Sequence, residues 1–455
     1  MNKTKIKLFE VIGLFGTDDV SIPFKDNYKI LIGENGLGKT QVLNLFYYTL
    51  TQNFIKLSEY NFKNIRIVFS NNKTVEISKK QVDELVEHPV VKNLISEVGY
   101  SQFVMLRNKF LAHKMGVDTI IVPEYDGFDG LSALFPEQAE KALREQRVFD
   151  ALERIEYKQT QTNVFHLDKC EAEITNELKG LEILYFPTYR RVEEDLHNLG
   201  YDEKKISNNQ ENNLIQFGMG DVKRRFINIQ ETIDKLLKEG LAQFTKDILN
   251  VVIDDAVPSE NILDEINEDD LEIILSRVGK QLPDSQKEAV KNIVASKEIK
   301  NPLSAYLLQK LVDIYEKQKE IDNSVKFFRD ACNKYLINKS VYYDESAIDI
   351  YIKSTRTDDR IDLKHLSSGE KQMVSMLSKV YLSEADKRFI ILFDEPELSL
   401  SMTWQKQLLP DIINSNKCDF LLAVTHSPFI FDNELDKFAV GMNEYVKPSK
   451  ILVKQ

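Results

Sequence analysis

Apolar positions alternate with polar ones over residues 6–12 and 20–24, the period of strands with one buried face, and Thr17-Asp18-Asp19 between them reads as a turn. Tyr28-Lys29-Ile30-Leu31-Ile32 follows as a third, apolar strand that runs straight into a glycine-containing loop. Beyond the loop, residues 41–51 have helical apolar spacing, and residues 65–69 and 75–77, on either side of Asn71-Asn72, read as a hairpin. From about residue 81 to 353 the pattern is mainly helical, with polar loops at 159–163 and 208–213 and no fixed-period repeat. One run, Leu181-Glu182-Ile183-Leu184-Tyr185-Phe186, interrupts it as a strand. Strands return from Val341, and strand and helix then alternate to the end. The expected class is α/β, with a strand-containing lobe over 1–80, a mainly helical insertion over 81–340 that includes the returning strand at 181–186, and a second lobe over 341–455.

Composition narrows this little further. With 455 residues, 42% hydrophobic and 29% charged, the chain is long enough for a large core with an insertion and unlike disordered or fibrous sequences. No run of about 18 apolar residues suggests a membrane span, and the start has no signal-peptide pattern, so a cytoplasmic protein with no membrane association is expected. Cys170, Cys332 and Cys418 lie too far apart for a disulfide framework or a clustered zinc motif and read as buried thiols. A formal charge of −12 argues against a surface basic throughout, while a local basic groove for DNA or another nucleic acid stays open. The acidic stretch 254–270 reads as a solvated face or loop.

Four segments carry chemistry. Gly33-Glu34-Asn35-Gly36-Leu37-Gly38-Lys39-Thr40 fits the G-x-x-x-x-G-K-[ST] phosphate loop and lies between a strand and a helix, as that motif requires. Its backbone N–H groups and the helix N-terminus attract phosphate, Lys39 reaches the β- and γ-phosphates of ATP, and Thr40 can ligate Mg²⁺. Asn35, Gly36, Gly38, Lys39 and Thr40 are therefore candidate nucleotide contacts. Phe389-Ile390-Ile391-Leu392-Phe393-Asp394-Glu395 is an apolar run ending in two carboxylates, suited to a buried parallel strand that opens on a ligand. This is a Walker B pattern, in which Asp394 would hold Mg²⁺ and Glu395 would polarise the attacking water. Leu366-Ser367-Ser368-Gly369-Glu370-Lys371-Gln372 precedes a helical run; alone it is an ordinary helix N-cap sequence. Leu421-Leu422-Ala423-Val424-Thr425-His426-Ser427 is another apolar strand, and a histidine at such a strand end is by itself usually just a polar surface residue.

The order of these segments resembles that of ABC-superfamily ATPases: phosphate loop, an LSGGQ-like signature at 366–372, Walker B, a D-loop at 397–401 and a switch histidine at His426. The resemblance implies an ABC-type ATPase head of two lobes with mixed and parallel sheets. It also implies a head-to-tail homodimer, or a higher oligomer, in which Lys39 and Thr40 of one copy and Ser367 and Gly369 of the other hold ATP. His426 would touch the γ-phosphate as a neutral imidazole. The large insertion is similar to that of the RecF, SMC and overcoming-lysogenization branch. Residues 185–193 and 215–222 resemble segments of the PtuA family, the ATPase subunits of Septu-type and related retron antiphage systems, which work with an HNH nuclease, PtuB. The six histidines form no obvious nuclease cluster and the stretch after His426 is short for a further nuclease domain, so a separate effector is expected. Ser401-Met402 departs from the His-Pro that relatives often carry after the D-loop leucine.

Two alternatives remain at this level. One is a RecF- or SMC-like ATPase that clamps DNA itself, although no sustained heptad arm is present. The other is an ATP sensor that binds without turnover, against which the Asp394-Glu395 pair argues. Gln102 is a candidate Q-loop residue, and Arg190 and Arg191 read either as contacts near the nucleotide or as surface ion pairs.

Overall fold

In the computed structural model the described residues are 5–34, 36–98, 167–187, 219–254, 268–278, 283–295 and 302–449, with a few single positions between 103 and 150. The chain divides into two compact units, one from Met1–Ile215, Arg388–Leu398 and Asp419–Gln455, the other from Gln216–Lys387 and Ser399–Cys418. The first opens with β1 (Ile6–Leu14), β2 (Asp18–Pro23), β3 (Tyr28–Ile32), α1 (Lys39–Leu50), α2 (Phe54–Ser58), β4 (Asn64–Phe69) and β5 (Thr74–Ser78). It continues with α3 (Lys79–Glu87), α4 (Pro89–Val98), α5 (Asp168–Glu177) and β6 (Leu181–Phe186). The second unit supplies α6 (Met219–Asp254), α7 (Glu268–Val278), α8 (Asp284–Ala295), α9 (Pro302–Asn333), β7 (Lys339–Asp344), β8 (Asp349–Ser354), β9 (Arg360–Ile361) and α10 (Ser368–Tyr381). The chain returns to the first unit for β10 (Arg388–Asp394), visits the second for α11 (Met402–Ile413), and ends in the first with β11 (Cys418–Thr425), β12 (Ala439–Gly441) and β13 (Val446–Pro448).

Two five-stranded sheets build the first unit. The outer one, ordered β13-β2-β1-β4-β5, pairs antiparallel, and the alternation of its strands places Phe9, Val11, Ile65 and Ile67 inward. The β4–β5 hairpin turns through Asn72 at φ 64°, a left-handed position that asparagine tolerates better than most residues. The second sheet, ordered β12-β3-β11-β10-β6, pairs β3 with β11, β3 with β12 and β10 with β6 in parallel. Its central strands are buried almost end to end, as expected of strands covered on both faces: every residue of β10 after Arg388 is buried. The lone strand at 181–186 is β6, lying beside β10 with Phe186 opposite Phe393 and their rings stacked at 4.7 Å. Between the sheets, Phe9 meets Phe46 of α1 at 4.8 Å and Phe24 meets Phe420 at 5.0 Å. Burial of each such ring is worth about 1.5–3 kcal/mol.

The second unit is mainly helical, with α9 packed against α6, α7, α10 and β7, and a three-stranded antiparallel sheet β7-β8-β9. Its polar interior is unusual. Arg277 of α7, fully buried, donates from Nη2 to Asp322 Oδ1 at 2.8 Å, from Nη1 to Gln318 Oε1 at 2.6 Å, and from Nε to the Glu345 carbonyl at 2.9 Å. The Tyr343 hydroxyl donates to the same Asp322 oxygen. At its acidic end the stretch 254–270 is not wholly solvated: Asp270 is buried and receives Lys319 Nζ at 2.5 Å. Cys332 and Cys418 are buried, whereas Cys170 is half-exposed. Among the described residues no helix is long and apolar enough to cross a membrane.

A second buried cluster ties α9 and α10 to α11. Asp411 accepts from the Tyr335 hydroxyl at 2.6 Å and from Lys334 Nζ at 2.5 Å, while the Tyr381 hydroxyl donates to its backbone carbonyl at 2.7 Å. Burial, then the Asp411 carboxylate, push the Tyr335 pKa upward and keep its hydroxyl a donor. Tyr335→Phe is expected to cost about 1.5–3 kcal/mol, the usual value of a hydrogen bond to a charged group. Urea unfolding checks this, with an unchanged midpoint as the contrary result.

Candidate functional site

The parallel sheet explains where the site forms. Thr425 lies opposite Ile32 in register, so the loops leaving β3 and β11 start side by side, and β10 ends next to them at Asp394. Ligands of open α/β sheets bind in the crevice beyond these carboxyl ends. The loop after β3 turns through Gly36 at φ 91° and Gly38 at φ 73°; a side chain at Gly38 would also meet the Phe15 ring at 3.0 Å. Gly38 caps α1 without a side-chain bond, and the first turn of that helix contains no acidic residue, leaving its N–H groups to an anion.

Lys39 is buried at the start of α1 and its Nζ donates to the carbonyls of Gly33 at 2.7 Å and Glu34 at 2.8 Å. Its third contact is His426 Nε2 at 2.8 Å. An ammonium can only donate, so in this contact Nε2 is the acceptor, the role it has in the Nδ1–H tautomer. Burial lowers the Lys39 pKa, while Glu395, Asp394 and Glu397 work against that and favour its charge. The Thr40 hydroxyl donates to Asp394 Oδ1 at 3.0 Å, and Asp394 is itself buried. Glu395 Oε1 lies 3.5 Å from His426 Nε2. The Glu395 backbone is left-handed, φ 50°, and its N–H is fixed on the Val424 carbonyl at 2.8 Å. Such a conformation costs about 1–3 kcal/mol for a residue other than glycine and persists where surrounding structure imposes it.

Gly36, Gly38, Lys39, Thr40, Asp394, Glu395 and His426 are thus brought together, all in the first unit. Asn35, Gln102, Arg190 and Arg191 lie outside the described residues. Ser367 and Gly369 belong to the second unit. There Ser367 caps α10 in a capping box: its N–H donates to Glu370 Oε2 at 2.8 Å and its hydroxyl accepts from the Glu370 N–H. Lys339 Nζ holds the same carboxylate at 2.8 Å. Burial opposes the charge of Glu370, but the bonds from Lys339 and Ser367 outweigh it and hold its pKa below the ordinary range. Gly369 is buried against the chain, and a Cβ there would come within 2.7 Å of the Ser399 carbonyl, so glycine is required by packing alone.

Of two further residues at the first unit's site, the sequence reading missed Phe15 and named Glu397 only as part of the D-loop segment. Phe15, 42% exposed at φ 57°, lays its ring against Gly38; a single aromatic after a strand carries no signal of its own. Glu397 accepts the N–H groups of His426 at 2.8 Å and Ser427 at 3.2 Å. Beneath the site, the Tyr185 hydroxyl donates to Asn44 Oδ1 at 2.7 Å and Asn44 Nδ2 to the Tyr60 hydroxyl at 3.0 Å, tying β6 to α1.

Comparison with known proteins now adds the family. No curated protein matches the sequence. Among solved structures, the chain is similar to an Smc head bound to the C-terminal winged-helix domain of ScpA, at 10% identity and TM-score 0.35, over 99% of this chain and 100% of that one. It is also similar to a Pyrococcus furiosus Smc head with an extended coiled coil, bound to the C-terminal domain of ScpA, at 11% identity and TM-score 0.34, over 99% and 97% of the two chains. Scores this low do not establish a shared fold. The model of the AAA ATPase domain, in contrast, matches residues 5–431, the phosphate loop, Walker B strand and His426 included. A match of that extent shows the family: this chain belongs to the AAA ATPase domain family.

Proposed function

We propose that this chain binds ATP with Mg²⁺ and hydrolyses it as an ABC-type ATPase, in a site completed by a second copy, and that its nucleotide state controls a separate nuclease. The observation that carries the proposal is the convergence of Lys39, Thr40, Asp394, Glu395 and His426 at the carboxyl ends of neighbouring strands. The loop N–H groups and the start of α1 receive the phosphates, and Lys39 moves from its carbonyl partners onto the β- and γ-phosphates. Thr40 Oγ1 and Asp394 Oδ1, 3.0 Å apart, are the hard oxygen donors that Mg²⁺ takes, and these two residues would hold it. When bound, the metal neutralises phosphate charge. Glu395 orients the attacking water and accepts its proton, and the neutral His426 contacts the γ-phosphate.

Ser367 and Gly369 of the second copy would meet the γ-phosphate through the N-terminus of α10, which links ATP binding to dimer closure. Control of an HNH nuclease of the PtuB kind is supported by the resemblance of residues 185–193 and 215–222 to PtuA-family segments. The experiment is ATP-dependent phosphate release with mass-resolved chromatography, followed by the same measurement with the product of a neighbouring nuclease gene. A chain that neither binds ATP nor changes its assembly overturns the reading.

Phe15 lays a partly exposed aromatic ring beside Gly38 of the loop, and we propose that it stacks on the base of the bound nucleotide. Phe15→Ala is expected to weaken ATP binding about 5- to 150-fold, the range of one base–aromatic stack of about 1–3 kcal/mol. A fluorescent-nucleotide titration measures it, and unchanged affinity removes the ring from the site.

A further inference from the structure

We infer that Glu397 is a positioning residue that sets the place of His426, and through it the geometry of the hydrolytic site. The inference rests on the hydrolytic reading above and adds to it a residue that acts from behind the histidine. The chain turns sharply after β10: Glu395 is left-handed, the Leu398 N–H returns to the Glu395 carbonyl at 3.3 Å, and Ser399 is left-handed at φ 67°. That turn carries the Glu397 side chain to the exit of β11. There one carboxylate oxygen, Oε1, accepts the first two backbone N–H groups beyond the strand, those of His426 and Ser427.

The consequence for His426 is geometric. Its side chain is partly exposed, and its ring meets Lys39 Nζ at 2.8 Å and Glu395 Oε1 at 3.5 Å while hanging from the backbone that Glu397 holds. When Lys39 leaves for a phosphate, the Glu397 carboxylate, the Thr425 hydroxyl that also accepts the Ser427 N–H at 2.9 Å, and the short turn beyond Ser427 remain to hold the imidazole near Glu395, and of these only Glu397 binds the His426 N–H itself. That turn is itself capped by the Ser427 hydroxyl, which accepts the Phe429 N–H at 3.3 Å. Charge is secondary in this role. An amide oxygen at the same place still has two lone pairs for the same two donors, so glutamine can substitute where alanine cannot.

The test has one readout without nucleotide and one with it. In the nucleotide-free protein, Glu397→Ala should speed backbone hydrogen exchange at His426 by about tenfold, the value of one lost hydrogen bond, with a smaller effect at Ser427, whose N–H keeps the Thr425 hydroxyl at 2.9 Å, while Glu397→Gln should leave both near the unaltered rate. In turnover, Glu397→Ala should lower kcat about 10- to 100-fold with little change in the KM for ATP, as displacement of a reacting group does, and Glu397→Gln should recover most of that loss. Combined with His426→Ala, the Glu397→Ala change should have no further effect, because a residue acting only through the histidine has nothing left to place. Exchange that is unchanged in Glu397→Ala, or effects that multiply in the double variant, overturn the inference. If His426→Ala itself leaves turnover intact while exchange responds as described, the placement stands and the hydrolytic reading of His426 fails.

Discussion

Glu395→Gln is expected to lower ATP turnover by a factor of about 10²–10⁴, the range for removal of a general base, while leaving ATP binding in place. The two halves of that expectation have separate causes. Glutamine matches the size of glutamate and keeps a polar atom near His426 Nε2, where Glu395 Oε1 now lies at 3.5 Å, so the left-handed turn and its bond to Val424 are undisturbed. What is lost, on the proposed mechanism, is the group that takes the proton of the attacking water. Lys39, Thr40 and Asp394 are unaltered, so ATP should enter and stay, and the proposed dimer or larger assembly should accumulate in its ATP-bound form. Phosphate release and mass-resolved chromatography on the same preparation read both effects. Turnover at the unaltered rate would remove Glu395 from its assigned role.

The second large effect concerns stability. Arg277→Ala is expected to destabilise the second unit by about 3–5 kcal/mol, because it removes one partner of a fully buried ion pair and strands the other. Among the described residues Asp322 would keep only the Tyr343 hydroxyl, the buried Gln318 would lose a donor, and so would the part-buried Glu345 carbonyl. Burial disfavours the charged guanidinium, yet the hydrogen bond and charge of Asp322 more than offset this and hold its pKa above the ordinary value. Lysine cannot reproduce the fork of donors, so Arg277→Lys should recover little. Chemical denaturation followed by circular dichroism measures the change. A loss below about 1 kcal/mol, the size of an exposed pair, would mean that the cluster contributes no more than a surface contact.

Most of the first unit's site was legible in the sequence because its parts are local. The phosphate loop is eight consecutive residues between a strand and a helix, and the runs ending at Asp394 and His426 announce buried strands by their own composition. Phe15 was not legible, and Glu397 was legible only as part of the D-loop segment, since neither lies in a run with a period; each acquires its contact only because a distant segment folds against it. The returning strand at 181–186 was visible as a strand, but not as the neighbour of β10, because parallel pairing leaves no mark of its partner in either sequence. The buried Arg277 and Asp411 clusters were hidden for another reason. Their members are ordinary charged residues at helical spacing, and the pattern of a solvated helix face is the same whether the partner is water or another helix. The glycine of the signature was read as a phosphate contact, and its close approach to the Ser399 carbonyl adds a packing demand on the same residue.

The order of strands around β3 bears on how the chain is made. β3 lies between β12 and β11, both drawn from the last part of the chain, whereas β1, β2, β4 and β5 find one another within the first 78 residues apart from the short β13 at the edge. During synthesis the phosphate loop therefore emerges early but stays without its sheet until β11 has left the ribosome, with the whole second unit produced in between. Throughout that interval an apolar strand with two open edges is exposed to the cell, the condition under which nascent chains aggregate or engage chaperones. The candidate site thus forms only after β11, and a chain interrupted before the strand that leads to His426 lacks it.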